Sequence, residues 1–224
     1  MSSMLRAITV LVALAVLAGC GNRTDQGVFL KTARGGGLKK AGQGSAPSQE
    51  QLAAAIQGAL TATDLPVALA VVEGRNATAL LTRIETNGAY QTWGTPDRRT
   101  VTTRGGVVTA TRGLGNDIMS STVSDSLALI SARKAGSATR IMRYLDGGNA
   151  TVELVATCQY SKGGTQRISA GELKNVATTK ITETCSAGER SFTNTYLVDG
   201  RGTPVQSRQW LNPVSGHILL QRLR

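Results

Sequence analysis

His217 is the only histidine of the sequence and stands beside fourteen acidic residues. The reactions open to this chain are therefore those that a lone imidazole or a pair of carboxylates can run. A Ser-His-Asp triad needs an activated serine within reach of that imidazole. No Gly-x-Ser-x-Gly elbow is present, and His217 sits in a final apolar run with Ile218-Leu219-Leu220, where a histidine is more often a packing or surface residue. Asp117, Asp125, Glu153 and Asp199 offer carboxylates for cleaving glycosidic bonds, but spacing along the chain does not give their separation in space. There is no Walker loop and no Gly-x-Gly-x-x-Gly between a strand and a helix; Gly35-Gly36-Gly37 lies in a spacer. The sequence predicts no catalytic residue and no cofactor. With one histidine and no Cys-x-x-Cys, it also predicts no metal site.

Binding chemistry is better supplied. Trp93 and Trp210 could stack on sugar rings, although a strand tryptophan more often fills a core. Lys and Arg number 25 against 14 Asp plus Glu, a formal charge of +11 with a pI near 10.2. That balance excludes a strongly anionic surface. Arg98, Arg99, Arg104, Arg112, Arg140, Arg143, Arg190, Arg201 and Arg208 are scattered; they would form either a face for an acidic polysaccharide or lipopolysaccharide, or background charge for solubility. At 41% hydrophobic and 17% charged the chain has material for a core, so wholesale disorder is excluded.

The amino terminus bears on where this chemistry operates. One charge in Met1 to Arg6 precedes the apolar run Ala7 to Leu17, which is too short to span a bilayer and reads as a secretory signal. Leu17-Ala18-Gly19-Cys20 resembles the lipobox of bacterial lipoproteins, whose cysteine is lipidated and becomes the first residue; an ordinary signal peptide with a chance cysteine is the alternative. Two or three acyl chains at Cys20 would anchor the chain stably. Gly21-Asn22, with no Asp after Cys20, favours the outer membrane under the enteric sorting rule. Export makes nucleic acid an unsuitable partner. In an oxidising compartment Cys158 and Cys185 remain to form a disulfide. They are 27 residues apart, a loop for which chain entropy gives about 3.5 kcal/mol.

These readings require elements to carry them. Residues 1–19 form the expected signal peptide, 20–48 a flexible Gly-rich tether and 49–224 a single domain. The tether's Arg23, Lys31, Arg34, Lys39 and Lys40 would be solvated or touch anionic head groups. Ser48 with Gln51 predicts a capped helix start, and Leu52, Ile56 and Leu60 mark its apolar stripe. From Val67 onward, short runs rich in Val, Thr, Leu and Tyr are punctuated by Gly, Asn, Asp and Pro. Val152, Leu154, Ala156, Cys158 and Tyr160 alternate with Glu153, Val155, Thr157 and Gln159, which turns Cys158 inward. Gly163-Gly164 and Glu172 to Asn175 predict turns, Leu127 to Ile130 a brief helix or crossing segment, and Asp199-Gly200-Arg201-Gly202 a hairpin. The expectation is an all-β fold with one short N-terminal helix: about ten strands in a mainly antiparallel curved sheet or partly closed barrel.

The most distinctive stretch runs from Arg104 to Met119, where Gly113 and Gly115 frame Leu114 before Asn116-Asp117. Such glycines allow backbone angles that other residues avoid, and Asn or Asp can cap the turn. A rim loop is equally a place for binding residues. The Thr111 to Asp117 segment, the two-cysteine region and Gln209-Trp210-Leu211-Asn212-Pro213 with Gly216 resemble the YjbF-type lipoproteins encoded with group 4 capsule and exopolysaccharide genes. The resemblance covers most of the mature domain and leaves out the spacer. It implies an outer-membrane lipoprotein facing the periplasm, with a mainly β domain working beside polysaccharide-export proteins, and it implies no catalytic residues.

The leading expectation is a non-enzymatic accessory lipoprotein of capsule or exopolysaccharide export, held to the membrane through Cys20. Arg112, Asn116, Asp117, Trp93 and Trp210 are its candidate glycan- or partner-binding residues. One rival is a carrier or sensor holding a lipid or acidic glycan in or on the β domain. Another is a glycan-cleaving enzyme using paired carboxylates.

Overall fold

A computed structural model describes residues 47–224 of the chain. The expected signal peptide, Cys20 and nearly all of the expected tether lie outside the described residues. Helix α1 (Gln49–Ala62) opens on the anticipated capping box: the Ser48 hydroxyl accepts from the Gln51 amide, and the Gln51 side chain accepts from the Ser48 amide. Twelve strands follow, with one further helix. They are β1 (Val67–Val72), β2 (Ala77–Asn87), β3 (Tyr90–Gly94), β4 (Thr100–Arg104), β5 (Val107–Arg112), β6 (Ile118–Thr122), α2 (Ser124–Ala132), β7 (Gly136–Leu145), β8 (Thr151–Ala170), β9 (Leu173–Ala187), β10 (Arg190–Asp199), β11 (Pro204–Asn212) and β12 (Gly216–Arg222). A single 3-10 turn, Glu73–Arg75, joins β1 to β2.

All twelve strands form one sheet in the order β5-β4-β3-β2-β1-β12-β11-β10-β9-β8-β7-β6. Every neighbour is antiparallel, and the sheet curls into a nearly closed barrel. Only β1 with β12 departs from pairing sequential strands, so a two-way meander is stitched together where the chain's last strand meets its first. The two edges of the sheet, β5 and β6, are consecutive in sequence and meet at the loop between them.

Period-two alternation fixes which side chains face inward. Val107, Val108, Ile118, Met142, Ala156, Ile181, Tyr196 and Ile218, each at most 1% exposed, belong to one continuous core. The opposite face of β1 and β12 carries Val67, Leu69 and Leu223, and α1 covers it with Ile56, Ala59 and Leu60. Cys158 and Cys185 are directly paired across β8 and β9 and form the expected disulfide, with Cα atoms 4.0 Å apart.

The sequence reading differs from this architecture in three places. Gly163-Gly164 does not turn the chain: it lies inside the twenty-residue β8, where the register with β9 shifts between Lys162 and Thr165. Glycine pairs serve bulges as well as turns, because both need backbone freedom. The turn falls instead at Gly171, whose φ of +58° and close approach to the Leu223 carbonyl suit glycine alone. The stretch expected to lack strands holds β6, while the brief helix considered for Leu127 to Ile130 is present as the longer α2, ended by Arg133 in the left-handed region with Lys134 N donating to Leu129 O. Twelve strands replace about ten because Val101 to Arg112 divides at Gly105-Gly106 and β6 and β7 carry polar residues that hid their period, while two expected strands merge into β8.

Candidate functional site

The edge of β5 should be an open row of amides and carbonyls, a hazard in any sheet. Here side chains close it. Gln209 of β11 turns its carboxamide toward β5, where Oε1 accepts from Val108 N at 2.9 Å and Nε2 donates to Gly106 O at 2.9 Å. A carboxamide offers the same donor and acceptor pair as a peptide, so Gln209 stands in for a neighbouring strand. Arg140 of β7 adds a bond from Nη2 to Val108 O at 3.2 Å. Nearer the loop, the Ile118 amide donates to Thr111 Oγ1 at 3.1 Å, and Arg112 Nη1 donates to Ile118 O at 3.0 Å.

The residues expected to bind a ligand at this loop are engaged within it. Asp117 accepts from Gly113 N at 2.7 Å, Leu114 N at 3.1 Å and Thr111 Oγ1 at 2.8 Å. Asn116 has a φ of +50°, and its carbonyl accepts from Asn212 Nδ2 at 2.9 Å. Asn212 Oδ1 in turn caps Val214 N and Ser215 N at 2.9 and 2.7 Å, shaping the β11–β12 turn. Gly115 lies under the Arg75 guanidinium and has a φ of +81°, a left-handed backbone that favours glycine. Thus the Thr111 to Asp117 and Gln209 to Asn212 segments, distant in sequence, are the two halves of one joint that seals the barrel.

Behind the seam lies a buried ionic cluster. Glu183 and Arg140 are both fully buried, with Arg140 Nη1 3.0 Å from Glu183 Oε2. Tyr160 and Tyr196 hydroxyls donate to the carboxylate at 2.5 and 2.7 Å, and Asn194 Nδ2 donates at 2.8 Å. Burial raises the Glu183 pKa, but Arg140 and the three neutral donors outweigh it, so Glu183 is held below the ordinary carboxylate value. Burial likewise disfavours the charged Arg140, and Glu183 reverses that balance. Tyr196 and Tyr160 are pushed up by burial and by the Glu183 charge. The Asn194 carbonyl oxygen accepts from Trp210 N at 2.6 Å, and the Trp210 ring stacks on Phe192 with centroids 4.5 Å apart. Cys158, Cys185 and Glu183 bring possible ligand atoms within 4.8 Å of one another, but the sulfurs are bonded to each other, which removes the thiolates a metal would need.

The carboxylates considered for glycan cleavage are engaged separately. Asp117 caps the seam loop, Asp125 lies exposed in the first turn of α2, Glu153 pairs with Arg143 at 2.6 Å, and Asp199 caps the β10–β11 turn through Arg201 N and Thr203 N. His217 Nε2 is 2.9 Å from Thr193 O, so that nitrogen carries the proton. Burial lowers its pKa and keeps the ring neutral.

Open space remains at one end of the inner face. A cavity of about 440 Å³ is lined by Ala68, Arg83, Gln91, Trp93, Thr103, Arg201, Pro204, Ser207, Arg222 and Arg224, among others, and no carboxylate lines it. Strand parity puts its walls together: Ala68 faces Arg222 across β1 and β12, and Arg83 faces Trp93 across β2 and β3. The small Ala68 leaves room for the guanidinium opposite it. Trp93 is anchored by its indole N–H to Thr103 Oγ1 at 3.2 Å. Of the residues expected to bind a ligand, Trp93 lines this cavity, joined by Arg201 from the scattered arginines considered for an acidic polysaccharide. Arg83, Arg222 and Arg224 were not foreseen; Arg222 is two residues from the inward Leu220 and Arg83 two from the inward Leu81, so strand parity was the available signal.

These features define a nearly closed antiparallel barrel, sealed by side chains and open to solutes at a cationic cavity. The chain belongs to the family described as group 4 capsule polysaccharide lipoprotein gfcB, YjbF, whose model matches residues 40–223. Its fold is similar to the crystal structure of the hypothetical lipoprotein YmcC from Escherichia coli (K12), with a TM-score of 0.65 at 19% identity over 76% of this chain and 87% of that one. No curated protein sequence matches this chain.

Proposed function

We propose that this chain is a non-enzymatic accessory lipoprotein that supports the secretion or assembly of capsule or exopolysaccharide, anchored through Cys20 in the outer membrane and facing the periplasm beside export proteins. The observation that carries this reading is the identity of the barrel's seam with the segments of family resemblance. Membership therefore concerns the whole barrel body that Gln209 and Asn212 close, and the family is that of group 4 capsule polysaccharide lipoproteins. Engagement of Asp117, Glu153 and Asp199 in turns and ion pairs weighs against the paired-carboxylate enzyme.

Affinity purification of the tagged protein from mildly cross-linked membranes tests the proposal. The expected result is co-purification of a polysaccharide-export protein with the wild type and its loss with Cys20→Ala. Recovery of nothing from that machinery would overturn it. The carrier or sensor reading gains one specific observation, the cationic cavity, and is compatible with the accessory role.

A further inference from the structure

We propose that the cavity is a binding site for an acidic saccharide, in which the guanidinium groups of Arg83, Arg201 and Arg222 take a sugar carboxylate and Trp93 packs against the sugar ring. This deepens the accessory reading by assigning a ligand class to the domain, and its test is independent of any export partner.

Charge is the first argument. Arg224 is occupied: it makes a two-pronged pair with Glu172, at 2.7 and 2.5 Å, and donates to the Leu60 and Thr63 carbonyls. Arg222 is only loosely paired, 3.9 Å from Asp199, with a third of its side chain exposed. Among the described residues Arg83 and Arg201 form no ion pair. The walls thus carry two guanidinium groups outside any ion pair and a loosely held third, with no carboxylate among the lining residues, an arrangement that suits forked recognition of a carboxylate.

The remaining walls select the rest of the ligand. Trp93, Pro66 and Pro204 give flat apolar surfaces, while Gln91, Thr103 and Ser207 interleave amide and hydroxyl groups. An acyl chain would leave those polar groups facing hydrocarbon, whereas a sugar ring presents both a C–H face and hydroxyls. The volume of about 440 Å³ lies within the range of small-ligand sites, roughly 300–1,000 Å³.

The test is calorimetric titration of the full chain, purified in detergent, with tetragalacturonate, its methyl ester, maltotetraose and inorganic phosphate. Tetragalacturonate is expected to bind at submillimolar concentration, with the methyl ester and maltotetraose at least about tenfold weaker, since a charge-assisted hydrogen bond is worth that factor or more. Arg83→Gln should weaken binding about tenfold, and Arg222→Lys, which keeps the charge but removes the planar guanidinium fork, should weaken it as well. Lys162→Gln, the same loss of charge on exposed β8, should leave it unchanged. Four results would overturn the assignment: no binding by the folded wild type, equal binding of maltotetraose, phosphate binding as tightly as the oligosaccharide, or equal weakening by Lys162→Gln and Arg83→Gln. Failure here leaves the accessory role intact, because that role is tested by co-purification.

Discussion

Glu183 is the residue on which the interior's electrostatics converge, since it is fully buried and accepts from Arg140, Tyr160, Tyr196 and Asn194. Glu183→Gln would strand the Arg140 charge in the core, and breaking one side of a buried pair costs about 3–5 kcal/mol. A marked fall in the denaturation midpoint is expected; an unchanged midpoint would mean that the cluster is solvated. The pH dependence follows from the same group. Its folded pKa lies below its unfolded value, so its stabilisation is present above the ordinary carboxylate range, about 4.3, and is lost as pH falls through the lower folded value. Tyr144, Tyr160 and Tyr196 are shifted the other way by burial, so their contribution is present below about pH 10 and is lost as pH rises through their higher folded values. Thermal melts across pH should therefore show a plateau with an acid limb and an alkaline limb, and Glu183→Gln should remove part of the acid limb. The sequence concealed this cluster because Arg and Glu in a strand normally mark a solvated face. Only parity with Cys185, two positions on, placed Glu183 inside.

At the scale of elements, the seam replaces a strand pair with side chains, and that substitution can be tested one amide at a time. Gln209→Ala leaves Val108 N and Gly106 O without these partners, a loss of about 1–3 kcal/mol. Hydrogen exchange at the Val108 amide should accelerate while amides in the β9–β10 ladder stay protected; equal protection before and after would show that the edge is held by something else. The β8–β9 pair should depend on its disulfide, and Cys158→Ser with Cys185→Ser is expected to cost about 3.5 kcal/mol in a denaturant melt. Alternation made the first half of β8 and the disulfide face legible, because that stretch buries one side on the core, while the Asp199-Gly200 turn chemistry made the β10–β11 hairpin legible. Alternation failed at Gly163-Gly164, where a bulge and a turn make the same demand on the backbone, and at β6 and β7, whose inward Arg140 broke the apolar period. The seam residues were legible as a distinctive pattern, and Asp117 caps the turn as its position after the two glycines suggested; the partnership with Asn212, far along the chain, was not legible.

Over the whole molecule, the barrel divides its inner face between a filled core under the seam and a cationic cavity at one end. The overall charge of +11 announced basicity without direction, because most arginines are dispersed or paired. Those lining the cavity became visible only once β1, β2 and β12 were brought side by side. Under the accessory role proposed above, such a body would act from its lipid anchor by holding a polymer or a partner and would leave the polymer's bonds unchanged. The most direct test compares the native host with and without the chain, measuring exported and cell-retained polysaccharide and the chain length of each. The account predicts less exported polymer in its absence, of unaltered repeat composition and length, with export restored by the wild type and left unrestored by Cys20→Ala. Normal export without the chain, or polymer whose length changes while its export does not, would contradict it.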